Sequence, residues 1–161
     1  MRVALAAMVA ALVTASIAAD ARAQVRLANA WLRPAAMGQK ATQVYLDIRA
    51  SEPLSLVGAS ATIARGAELV LLERPDPDPE NLKVVSAIPV PVGRETRLAY
   101  LGSHIRLLDL NRALMPGERI AIELTFADQA GRRQVVTTQA LVRGLVVRRP
   151  DGSELPSSPA R

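Results

Sequence analysis

The chain holds one histidine, His104, and no cysteine. That pairing decides most of the chemistry open to it. Without a thiol there is no disulfide, no thiolate nucleophile and no cysteine-based zinc or copper site. A single imidazole serves as a metal contact only if other donors join it. Otherwise it is a polar residue at a strand end, hydrogen-bonded near a turn, and a lone histidine without partners favours that reading. Ser103 precedes His104 and Asp109 follows, so the letters of a hydrolase triad are present. Neighbours on a strand point to opposite faces, which keeps Ser103 and His104 apart and argues against the triad. Asp76, Asp78 and Glu80 could hold a hard cation. The prolines between them mark an exposed loop, where solvated carboxylates are the better reading. No phosphate loop, dinucleotide fingerprint or nucleophile elbow appears, and an enzyme is not expected.

These residues need elements to position them, and the patterning is β throughout. Ile120, Ile122, Leu124 and Phe126 alternate with Ala121, Glu123 and Thr125, a period of two. Val44, Leu46 and Ile48 alternate in the same way over residues 43–49. Further strands are expected over residues 25–32, 54–61, 68–73, 83–90, 95–100, 105–110, 117–126 and 134–147. Asp76-Pro77-Asp78-Pro79 cannot continue a strand, because each proline removes a ladder donor. Met115-Pro116-Gly117-Glu118 is a strong turn, with proline fixing φ and glycine free to take positive φ. Ala127–Gly131 reads as a hairpin loop. Seven to nine short strands without a helical period indicate an antiparallel β-sandwich or a small barrel. Trp31, the sole indole, is expected in its core.

Composition bounds the rest. The 161 residues point to one domain and carry a formal net charge of +5. The basic residues are scattered and aromatics are few, unlike the concentrated basic surface of a nucleic-acid binder. The chain opens with Met1-Arg2, continues with an apolar run to Ala19 and reaches the small-x-small triplet Ala21-Arg22-Ala23. That order of regions reads as a secretory signal over residues 1–23. Asp20 and Arg22 interrupt the run before the roughly 20 apolar residues a membrane span needs. No cysteine follows to carry a lipid. The mature domain is expected over residues 24–147, with a disordered tail over 148–161 that is rich in proline and serine and lacks an apolar period. A periplasmic location follows from the signal.

Several segments, in order, resemble the periplasmic copper chaperone family known as PCu(A)C. They are Asn29-Ala30-Trp31-Leu32-Arg33, Gly38 followed by Gln43-Val44-Tyr45-Leu46-Asp47-Ile48, and Leu56-Val57-Gly58-Ala59-Ser60. Ala67-Glu68-Leu69, Ile88-Pro89-Val90-Pro91 and Leu114–Phe126 complete the series. The resemblance implies a cupredoxin-like or immunoglobulin-like β-sandwich that carries Cu(I) toward the copper centre of cytochrome oxidase. It also implies four ligand positions. The first falls on Val70 (or Leu71), the second on Leu82, and the His-x-Met pair on His104 and Arg106. Only His104 retains a donor. Cu(I) prefers thioether and imidazole, and a guanidinium is always protonated and cannot coordinate. Met37 and Met115 are the remaining thioethers of the mature domain, and both lie in loop-like segments. The expectation is a copper-chaperone fold with weak or absent Cu(I) binding at the standard site. The alternative is a metal-free module on the same fold that binds another periplasmic protein.

Overall fold

Alternating apolar residues over 41–50, 104–110 and 119–127 set one buried face, and the other strands complete it. The computed structural model describes residues 23–74 and 79–144. Ten strands follow in chain order: β1 Val25–Leu32, β2 Ala41–Ala50, β3 Leu54–Ser60, β4 Ala64–Leu72 and β5 Leu82–Val85, then β6 Ile88–Val90, β7 Thr96–Leu98, β8 His104–Leu110, β9 Arg119–Ala127 and β10 Arg133–Val142. A 3-10 turn, Pro79–Asn81, leads into β5. The strands form one hydrogen-bonded path, β5-β4-β8-β2-β1-β10-β9-β3-β6, with β7 also paired to β2. The path curls on itself so that β3 packs near β4, and the fold is all-β as expected. Every pairing is antiparallel except β1 with β10, whose parallel seam joins Trp31 to Leu141 and Leu32 to Val142.

The core lies inside the curl. Val44, Leu46 and Ile48 of β2, Ile105 and Leu107 of β8, and Ile122, Leu124 and Phe126 of β9 are all buried there. Burying side chains of this kind stabilises by about 1.5–3 kcal/mol each, which is how a chain without disulfides sustains a fold.

Two expected strands come out differently in the structure, beyond shifts of a few residues at other strand ends. The single strand expected over 83–90 is two. β5 pairs with β4, whereas β6 pairs with β3 at the opposite end of the path. The break at Ser86-Ala87 carries the chain from one edge to the other, and Pro89 sits in an edge strand, where a missing N–H is tolerated. This division turns nine expected strands into ten. The strand expected over 134–147 ends at Val142, and residues 145–147 lie outside the described residues. So do residues 1–22 of the expected signal and the whole of the expected tail over 148–161.

Candidate functional site

Strand register brings the singled-out positions to one face. In the β4–β8 ladder Val70 lies opposite His104 and Glu68 opposite Arg106. In the β4–β5 ladder Val84 lies opposite Val70, and Leu82 opposite Leu72. Cross-strand partners share a face, and so do residues two apart on a strand. Val70, Leu82, His104 and Arg106 therefore all project from the outer face of the β5-β4-β8-β2 sheet. Leu71 points the other way and packs against the core. Val70 and His104 are each only 4% exposed, yet Val70 lies outside the main apolar core. They belong to a second, smaller buried patch on the outer side of the sheet.

Trp31 owes its place in this patch to a bulge. β1 and β2 shift register between Ala28 and Trp31. Asn29 takes a φ of 52° there, a conformation asparagine tolerates better than most residues. Its side-chain Nδ2 donates to Asp47 Oδ2 at 2.7 Å. The extra residue turns Trp31 from the core face to the outer face. Trp31 is thus half-buried rather than in the core as its sequence context suggested. It packs on Tyr45 with ring centroids 4.4 Å apart, and the Arg143 guanidinium lies 4.6 Å from the indole centroid. Tyr100 meets Tyr45 edge-on at 6.4 Å, and His104 lies 6.2 Å from the same ring.

His104 is held at both ring nitrogens. Nδ1 lies 2.8 Å from the Gly102 carbonyl oxygen. A carbonyl only accepts, so Nδ1 carries the proton and Nε2 presents its lone pair. Gln43 Nε2 donates to that lone pair at 3.3 Å. The Gln43 Oε1 accepts in turn from the Tyr45 hydroxyl at 2.5 Å. Burial pushes the Tyr45 phenol up to about 12, against the nearby Arg33 charge, which acts to lower it. Burial also pushes His104 below the ordinary imidazole value, and the Arg106 charge adds to this against the pull of the Gly102 carbonyl. The imidazole is therefore neutral at pH 7. Gln43 was not anticipated from sequence. Its one signal was a polar residue alternating with Tyr45 on the outward face of β2.

Arg106 is engaged elsewhere. Its Nε donates to Glu68 Oε2 at 3.0 Å, and Nη2 bonds the same oxygen. Met37 and Met115 are 83% and 60% exposed and flank the Ala35–Leu114 bridge. The β2–β8 register sets Ala41 opposite Leu108, four residues beyond His104 and so about 13 Å along the sheet. Met37 lies in the loop ahead of Ala41 and Met115 in the turn after Leu114. Ser103 Oγ accepts from the Leu72 backbone N–H at 3.0 Å. Asp109 is exposed near the far end of β8, so the triad residues are not brought together. Glu80 sits in the 3-10 turn, while Asp76 and Asp78 lie outside the described residues. Among the described residues, no three His, Cys, Asp or Glu side chains are grouped to hold a metal ion. None of their helices is long and apolar enough to cross a membrane.

Comparison with known proteins gives these features a context. The family described as "Putative lipoprotein LpqE-like" matches residues 25–140. "Putative lipoprotein Lxx21020" of Leifsonia xyli subsp. xyli (strain CTCB07) is 28% identical over 104 residues, which cover 65% of this chain and 63% of that protein. Among solved structures, the copper-bound PCuAC domain from PmoF2 superposes with a TM-score of 0.60 at 24% identity, over 75% of this chain and 93% of that one. The apo PCuAC domain from PmoF1 gives 0.60 at 23%, over 75% and 94%. The Cu(I) form of DR1885 from Deinococcus radiodurans gives 0.52 at 24%, over 76% and 81%. At these identities the likeness is one of fold.

Proposed function

This chain belongs to the LpqE-like family, and on that premise we propose that it is an extracytoplasmic, non-enzymatic module on the copper-chaperone fold whose standard Cu(I) site does not form. The observation that carries the proposal is the state of His104. Its Nε2 lone pair, the only nitrogen lone pair among the four family positions, already accepts from Gln43. Around it stand Val70 and Leu82, which donate nothing, and Arg106, whose fixed charge repels a cation. Cu(I) asks for soft thioether and imidazole donors in number, and this set does not fit it. What remains is a folded sheet with a stiff, hydrogen-bonded outer patch, suited to binding a protein or a small molecule outside the cytoplasm. The expected signal over residues 1–23 and the lipoprotein names of the relatives support that location. The periplasm is the compartment we assign, and delivery to cytochrome oxidase is not part of this reading.

Titrating the protein with Cu(I) against a competing chelator tests it. The native chain is expected to lose that competition. The triple variant Val70→His, Leu82→Met and Arg106→Met is expected to take up one equivalent, because the register already puts these positions on one face. Stoichiometric tight binding by the native chain that disappears in His104→Ala would overturn the proposal and return the chain to the copper chaperones.

A further inference from the structure

A cleft of ≈ 300 Å3 opens beside Gln43, and its seven lining residues include Arg33, Pro34, Gln39, Thr42 and Arg106. Two of the seven are guanidinium cations, and no carboxylate is among them. The hydrogen bonding of the lining is lopsided. Both glutamine carbonyls are in use, since Gln43 Oε1 accepts from Tyr45 at 2.5 Å and Gln39 Oε1 accepts from the Ala36 N–H at 3.3 Å. The Thr42 hydroxyl donates to the Arg33 carbonyl at 2.8 Å, which ties the start of the loop to β2.

Donors, by contrast, are in surplus. Arg106 uses Nε and Nη2 on Glu68, which leaves three N–H groups, two on Nη1 and one on Nη2. Arg33 rests its guanidinium 5.8 Å from the Tyr100 ring centroid, close enough to Tyr45 for its charge to act on the phenol. A guanidinium carries five N–H donors, and stacking on a ring leaves them available. Each glutamine amide donates one bond, Gln39 to the Ala41 carbonyl at 2.8 Å and Gln43 to His104 at 3.3 Å, and has a second N–H. A cation entering this cleft meets positive charge and carbonyls already engaged. An oxyanion meets the Arg33 guanidinium and the remaining N–H groups of Arg106, donors of the kind that suit carboxylate and phosphate oxygens. The Pro34 ring offers an apolar wall to a carbon skeleton.

We infer that this cleft binds a small oxyanion, a carboxylate or phosphate head group held between Arg33 and Arg106. The inference goes beyond the reading of the metal site and does not depend on it. Isotope-labelled protein, stripped of metal with a chelator and kept at low ionic strength, is titrated with succinate and separately with inorganic phosphate. Saturable shifts are expected at the backbone amides of Thr42, Gln43 and Arg106. Arg33→Gln and Arg106→Gln should each weaken binding about tenfold or more, the scale of one lost charge-assisted hydrogen bond. Arg119→Gln, an exposed change on β9, should leave it unchanged. Binding of either probe with that pattern supports the site, and the tighter of the two identifies the head group. No saturable shift with either probe overturns it. So does an equal loss in Arg119→Gln, which would mark attraction to general surface charge. Arg33 is exposed, so its variant tests the site even if Arg106→Gln perturbs the Glu68 pair.

Discussion

At the scale of single residues, the outer patch is a directional chain of donors. It runs from the Tyr45 hydroxyl through the Gln43 amide to His104, and ends on the Gly102 carbonyl. Each link fixes the next, so the tautomer of His104 is set by a carbonyl that can only accept. Protonating Nε2 would aim an N–H at the Gln43 amide, which is also a donor. The folded state therefore resists protonation, and burial lowers the His104 value. The unfolded chain binds the proton more readily, so stability rises with pH across this window. Denaturant midpoints are expected to fall as pH drops below the ordinary imidazole value of about 6.5 and to level off once the folded-state value is passed. A His104→Asn variant should lack that fall. The depressed carboxylates Glu95, Glu118 and Asp128 titrate at lower pH and leave the window clear. Sequence alone could flag His104 by its solitude. It could not supply Gln43 or Glu68, because a partner 61 or 38 residues away is a product of register and leaves no local pattern.

At the scale of elements, what was legible followed from period and punctuation. The alternation in β9 and the Pro116-Gly117 turn, where Gly117 takes a φ of 94°, express themselves locally. The Asn29 bulge does not, since the surrounding residues read as one uninterrupted strand. Its effect is large for one residue, because a slip of one exchanges the faces of everything downstream. Asn29→Gly keeps the left-handed backbone accessible and loses only the bond to Asp47. Asn29→Val adds a β-branched side chain in that region, where an L-residue costs roughly 1–2 kcal/mol. Urea unfolding should accordingly rank native above Asn29→Gly above Asn29→Val. The Trp31 emission of the valine variant should shift if its indole leaves the Tyr45 ring. The division of residues 83–90 was equally silent. Both halves are apolar and β-like, and only their separate partners, β4 and β3, tell them apart.

At the scale of the whole molecule, the fold class could be read from the sequence, but the strand order could not. Alternation says which face of a strand is buried and says nothing about its neighbour. The parallel seam between β1 and β10 is the least foreseeable pairing and among the shortest, with two register pairs. Leu32 belongs both to that seam and to the β1–β2 ladder, opposite Val142 and Val44, and is fully buried. Leu32→Ala should cost about 2–5 kcal/mol. It should also speed hydrogen exchange at the Arg143 amide, which donates to the Leu32 carbonyl at 3.0 Å, before exchange rises in the β9–β10 hairpin. Uniform acceleration across all strands would instead mean that the seam opens only with global unfolding.

The same seam gives the molecule two poles. Because β1 and β10 run in parallel, the chain arrives beside Gln134, whose side chain bonds the Ala23 carbonyl, and departs beside Leu32. Those points are about eight residues apart along β1, on the order of 26 Å. Trp31, His104 and the Arg33 cleft all gather at the pole of departure. A tether, bead or fusion partner attached ahead of Ala23 therefore holds the molecule by its base and offers the patch outward. One attached after Gly144 starts next to the indole on which Arg143 already rests, and stands in the doorway of whatever the patch receives.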